Sequence, residues 1–145
     1  MKLLDCTFRD GGYYTNWDFS DELLQVYLKA MNESPVDFVE IGYRAKPEPG
    51  YLGRFYYCPD YLVHRIAETL EKGLVIIIDE KNTLPGDIPG LLDSISDKLA
   101  MVRITVAPSK IDEGIALAKA IKELGIKVAF NLMYISRIVG DDVGL

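Results

Sequence analysis

Lys2-Leu3-Leu4-Asp5-Cys6-Thr7-Phe8-Arg9-Asp10-Gly11-Gly12-Tyr13 opens the chain and decides how the rest of it is read. Up to Phe8 the run alternates. Leu4, Cys6 and Phe8 fall on one face and Asp5, Thr7 and Arg9 on the other, as in a half-polar strand. At Asp10-Gly11-Gly12 it stops in a turn where glycine admits positive φ. Asp, Thr and Arg on the covered side of a strand, with a carboxylate at its C-terminal tip, cost folding free energy. The run therefore predicts chemistry at that tip.

Working outward, four more β-like runs follow: Asp37 to Tyr43, Leu74 to Ile78, Met101 to Val106 and Lys127 to Tyr134. Helical patterns separate them. Ser20 caps a helix opened by Asp21 and Glu22, whose stripe is Leu23, Leu24, Tyr27, Leu28 and Met31. A second helix runs from about Asp60 to Lys72, with Gly73 in the place of a left-handed stop. A short helix is expected over Leu91 to Ile95. Ser109 caps a last one, with the stripe Ile111, Ile115, Leu117, Ala118, Ile121 and Leu124 and Gly125 at its end. Between Arg44 and Cys58 lies a long connection rich in proline, glycine and aromatics, a candidate lid whose Arg44 or Arg54 would meet a substrate carboxylate.

Strands alternating with helices mean a parallel α/β sheet. Leu74-Val75-Ile76-Ile77-Ile78, apolar on both faces, is the strand of a sheet covered by helices. Two architectures fit: an open doubly wound sheet, or the first four and a half β/α units of a (β/α)₈ barrel, which takes about 250 residues in all. No glycine-rich phosphate fingerprint supports a nucleotide fold: Asp10-Gly11-Gly12-Tyr13 is not G-x-G-x-x-G, and there is no P-loop.

The strand faces favour the barrel. One face carries Asp5, Thr7 and Arg9, then Glu40, Asp79, Arg103, Thr105 and Asn131. The alternate positions are apolar: Val39, Ile41; Ile76, Ile78; Val102, Ile104, Val106; Val128, Phe130, Leu132. In a barrel the first face is the interior, and its C-terminal end holds the site. A purely structural ion network of Arg9 and Arg103 with Asp5, Glu40 and Asp79 competes with that reading. Buried ion pairs stabilise poorly against apolar packing, so their convergence favours a site.

The chain has 145 residues, 49% hydrophobic and 26% charged, with a formal net charge of −6. It is read as one domain spanning residues 1–145, the N-terminal part of a barrel. The charge argues against nucleic acid and anionic membranes as partners. The longest apolar run is too short to span a bilayer, and Met1-Lys2 leads into a strand without a signal sequence, so a cytoplasmic protein is expected. Cys6 and Cys58 show no metal or disulfide spacing, and His64 sits in an amphipathic helix as a surface or packing residue.

Asp5-x-Thr7-x-Arg9-Asp10-Gly11, with Glu40 in Val39-Glu40-Ile41-Gly42, resembles the DRE-TIM metallolyases. These are barrels that include hydroxymethylglutaryl-CoA lyase, isopropylmalate synthase and 4-hydroxy-2-oxovalerate aldolase. Val102-Arg103-Ile104-Thr105 and Phe130-Asn131-Leu132-Met133-Tyr134-Ile135-Ser136 look most like the aldolase branch. The resemblance implies a carbon–carbon lyase that acts on a 2-oxo (hydroxy-oxo) acid through a pyruvate-like enolate. It makes Asp10 a ligand of Mn²⁺ or Mg²⁺, has Arg9 hold the enolate oxygen, and has Glu40 orient Arg9. Asp79, Arg103, Thr105, Asn131 and Arg44 are the expected substrate-binding set.

Two departures stand out. Relatives place Gln or His at the third position beyond the Asp, the His transferring protons in the aldolase branch. This chain has Tyr13, whose hydroxyl would stand in despite the high ordinary pKa of tyrosine. The family also completes its metal site with a late His-x-His pair, and the only histidine here is His64. The 145 residues alone are therefore expected to be inactive, awaiting a missing C-terminal half or closing by self-association. The alternatives are an acyl-CoA/2-oxo-acid condensing synthase and a non-catalytic half-barrel assembly module.

Overall fold

The computed structural model describes residues 1–135, so Ser136 of the fifth-strand resemblance lies outside the described residues. Five strands, β1 (Leu4–Asp5), β2 (Phe38–Tyr43), β3 (Gly73–Asp79), β4 (Met101–Val106) and β5 (Val128–Leu132), form one sheet in the order β1-β2-β3-β4-β5. Every neighbouring pair is parallel. The helices are α1 (Thr7–Thr15), α2 (Asp21–Glu33), α3 (Arg54–Tyr57), α4 (Asp60–Thr69), α5 (Ile88–Leu92) and α6 (Ile111–Glu123).

The strand order decides between the two architectures. A doubly wound sheet reverses direction at a switch point, whereas here each strand adds next to the one before it. Right-handed crossovers in one direction put every helix on the same face. The other face is free to close on itself. It does curl: strands lie about 4.8 Å apart, so a flat sheet would hold β1 and β4 roughly 14 Å from each other. Yet Arg103 Nη1 on β4 lies 3.4 Å from Sγ of Cys6, the residue after β1. The fold is a half-barrel of the (β/α)₈ kind.

The helix-facing side is an apolar core. Val39, Ile41, Ile76, Ile78, Val102, Ile104 and Val106 are buried, as their alternation predicts, against Leu24, Leu28, Leu62, Ile66, Leu117 and Ile121. α6 packs so tightly on β4 and β5 that a Cβ on Gly114 would stand 2.7 Å from Val106 and 3.4 Å from Phe130. Ser20 Oγ accepts from the Leu23 amide and caps α2. No helix among the described residues is long and apolar enough to cross a membrane.

Several sequence expectations are corrected. The first strand ends at Asp5, so Arg9 and Asp10 ride on α1 rather than on a strand. The cause is Asp5 itself: its carboxylate accepts from the Thr7 amide at 3.0 Å and the Thr7 hydroxyl at 2.9 Å, starting a helical turn. Gly11 and Gly12 are helical, not a turn. The Trp17 ring fills the place of a Gly12 Cβ, with its Cδ1 at 2.0 Å from that point. Gly73 begins β3 without a left-handed conformation. Its missing side chain makes room for the Phe38 ring. Lys110, not Ser109, precedes α6, because Pro108 to Lys110 forms a 3₁₀ turn. The expected Leu91-to-Ile95 helix is α5 followed by a 3₁₀ segment over Asp93–Lys98. Leu23, Ile111 and Ile115 are exposed, so the buried stripes of α2 and α6 are narrower than their apolar patterns.

Candidate active site

Two layers of side chains fill the concave face toward the strand C-termini. The deeper one centres on Glu40, which is 0% exposed. Its carboxylate accepts from Arg9 Nε at 2.8 Å and from Arg103 Nη1 at 3.0 and 3.1 Å. Arg103 Nη2 donates to Asn131 Oδ1 at 2.9 Å. One carboxylate thus holds guanidiniums from α1 and β4 together. Desolvation works against the charge on Arg9, but its hydrogen bond to Glu40 and the charges of Glu40 and Asp10 keep it above the ordinary arginine value. Cys6 sits against this cluster with its thiol pushed up, first by burial and then by Glu40.

Asp10 lies on the outer side, exposed, with Oδ1 2.5 Å from Arg9 Nη1. Among the described residues no group of three or more His, Cys, Asp and Glu is placed to hold a metal ion. The residues present do not fit a divalent cation on their own, since Asp10 is a single carboxylate already facing a guanidinium.

The upper layer is a cavity of about 160 Å³ at the C-terminal end of the sheet. Tyr13 comes from α1, which follows β1. Tyr43 ends β2, Asp79 ends β3 and is followed by Glu80, Thr105 lies on β4, and Met133 and Tyr134 follow β5. The Tyr13 and Tyr43 hydroxyls are 2.9 Å apart, and burial, then that contact, pushes the Tyr43 phenol up. Arg9 and Asp79 both act electrostatically on Tyr43, which ties the cavity to the layer beneath it. Trp17 buttresses the wall. Its Nε1 donates to the Arg9 carbonyl at 3.0 Å, and its ring lies edge-on to Tyr13 and Tyr43.

Of the sequence-predicted residues, Arg9, Glu40, Arg103 and Asn131 meet in the deeper layer, while Tyr13, Asp79 and Thr105 line the cavity. Arg44 is not brought there. It is spent on the loop, donating to Leu91 O at 2.8 Å, Cys58 O at 2.7 Å and Asp60 Oδ1 at 2.6 Å. Arg54 likewise pairs with Asp21 at 2.5 Å. Sequence reasoning missed Glu80 and Tyr43. Strict alternation assigns Glu80 to the helix face, but the chain turns after Asp79, and the doublet Asp79-Glu80 at a strand tip was the available signal. A larger hollow of about 650 Å³ lies outside the sheet beside Lys29, Asn32 and Thr69, away from these groups.

Comparison with known proteins gives a counterpart for this fold. A crystal structure of the N-terminal domain of a putative aldolase from Bacteroides vulgatus matches the chain with a TM-score of 0.92 and 47% identity. The match covers 94% of this chain and 46% of that one, so this chain spans about half the length of the solved one. No protein-family model matches, and neither does any curated protein.

Proposed function

We propose that this chain carries the substrate-facing half of an aldolase-type carbon–carbon lyase, acting on a 2-oxo (hydroxy-oxo) acid through a pyruvate-like enolate. The observation that carries the reading is the buried Arg9–Glu40–Arg103 cluster, whose Arg9 acts electrostatically on Tyr43 in the wall of a cavity at the strand C-termini. The likeness to the N-terminal domain from Bacteroides vulgatus supports it. Cleavage of a bond next to a carbonyl leaves an enolate, and a guanidinium fixed beforehand stabilises its oxygen without reorganising.

In this reading Glu40 holds Arg9 in place, Arg9 meets the enolate oxygen, and Arg103, Asn131, Asp79 and Thr105 shape the substrate's surroundings. Tyr13 offers its hydroxyl from the wall it shares with Tyr43. Asp10 is the metal ligand we assign if Mn²⁺ or Mg²⁺ takes part. The described residues do not complete that site, so each role named for them rests on side chains alone.

The test is exchange of the pyruvate methyl protons in D₂O, followed by NMR on the full-length protein with Mn²⁺ in the buffer. Exchange should occur and should be lost in Arg9→Gln. A wild-type protein that exchanges none of these protons refutes the enolate reading.

A further inference from the structure

We propose that Glu80, beside Asp79 at the tip of β3, is the group that exchanges a proton with the ligand in this cavity; the inference rests on the enolate reading and names its proton carrier. Two independent observations converge. The first is an acid pair in a wall where acids are costly: Glu80 is only 8% exposed, and it lines the cavity together with Asp79. The second is Thr105. It is 6% exposed and lines the same cavity, and its Oγ1 is buried with no hydrogen-bond partner among the described residues. A buried hydroxyl without a partner is expensive, and a ligand oxygen beside it would remove the cost.

Backbone geometry holds the two together. Asp79 and Thr105 are register partners, and the Glu80 amide donates to the Thr105 carbonyl at 3.4 Å. The Ala107 amide donates to Glu80 Oε1 at 3.4 Å. The surroundings suit proton transfer. Burial, and next the hydrogen bond with Asp79, push the Glu80 carboxyl above its ordinary range. The Ala107 amide and Lys81 pull it back in part. Lys110 and Glu113 line a neighbouring hollow with Glu80, and Tyr13, Tyr43 and Tyr134 line the cavity with it.

The chemistry balances. Ionised Glu80 takes the proton of the ligand's hydroxyl, and the oxygen's freed electron pair becomes the carbonyl of the departing aldehyde. The carbon–carbon bond breaks, and its electron pair forms the enolate of the 2-oxo acid, whose oxygen lies against Arg9. Glu80 then returns the proton to the enolate carbon and is ionised again.

Three forms of the full-length protein test this in the pyruvate exchange assay, with binding of pyruvate followed by titration calorimetry. Glu80→Gln should keep binding and lose exchange by about 10²- to 10⁴-fold. Asp79→Asn should move the acidic limb of the wild-type pH profile to lower pH, because a neighbour that raises the Glu80 pKa has been neutralised; a merely structural Asp79 would leave the limb in place. Exchange in Glu80→Gln within about threefold of wild type, or an unmoved limb in Asp79→Asn, overturns the assignment while leaving the enolate reading standing. If Glu80→Gln does not fold, the Asp79→Asn limb decides. Absence of exchange in the wild type removes both readings.

Discussion

Glu40→Gln is the sharpest test of the deeper layer. The substitution preserves shape and one acceptor oxygen but removes the one charge among the described residues that pairs with both guanidiniums. Arg9 and Arg103 have side chains 12% and 14% exposed, so water can replace little of what is lost. Removing one partner of a buried ion pair costs about 3–5 kcal/mol. An amide oxygen in the place of Oε1 can still accept two of the three contacts, which puts the expectation near the lower end, about 3 kcal/mol. For a chain of this size each kcal/mol lowers Tm by about 2–4 °C, giving a loss of roughly 6–12 °C. Urea unfolding and a thermal melt both read it. If unpaired cations cause the loss, Arg103→Met placed on top of Glu40→Gln should restore about 1 kcal/mol or more. A single variant within about 0.5 kcal/mol of wild type, or a double variant as unstable as the sum of its parts, refutes the account.

Further expectations concern the frame around the site. Gly42→Ala puts a Cβ 1.9 Å from the Phe55 carbonyl oxygen, and backbone cannot step aside; a loss at or above the upper end of about 1–3 kcal/mol is expected in urea unfolding. Burial pushes the Cys58 thiol up to about 12, with Arg44 pulling it back only in part. A thiol reagent at about pH 8 should therefore reach Cys58 only after denaturation, and equal rates before and after would contradict its burial. Arg65 and Arg54 hold Asp21 below the carboxylate range, as the Ser94 hydroxyl and Arg44 do for Asp60 and Lys2 does for Asp37. Depressed carboxylates stabilise above their unfolded pKa and lose that contribution as pH falls through the folded value. Trp17 emission should accordingly stay native down to about pH 4 and change below it; unfolding centred above about pH 5 would contradict this.

The parallel α/β class was legible because β3 is apolar on both faces and Val102 to Val106 alternates cleanly with Arg103 and Thr105. Those periodicities follow from burial, which sequence records directly. What failed was decided by single local contacts. Alternation carried the first strand on to Phe8, but the Asp5 carboxylate captures the Thr7 amide and hydroxyl and turns the chain. Two glycines read as a turn because nothing in their neighbourhood announces that Trp17 will lie on Gly12. Arg44 carried the charge of a substrate anchor, yet its donors are taken by the loop it belongs to. Glu40, by contrast, was identifiable, since a carboxylate in the middle of an otherwise apolar strand must meet cations.

The charges of the deeper layer also indicate which edge of Arg9 can meet a ligand. Glu40 supplies one negative charge to two guanidiniums, leaving an excess of one positive charge within the cluster. Asp10 balances it from the solvent side. The two contacts of Arg9 are not equivalent: Nε faces an acceptor that is 0% exposed, whereas Nη1 faces one whose side chain is 61% exposed. Displacing the first would leave a buried charge unpaired, at about 3–5 kcal/mol. Displacing the second gives up a solvent-screened pair worth about 0–1 kcal/mol. On the proposed enolate reading, an anionic oxygen would therefore exchange with Asp10 rather than with Glu40, and Arg9 would keep its orientation during the exchange. Fixed aim on one edge and an exchangeable partner on the other are what binding a transient oxyanion requires.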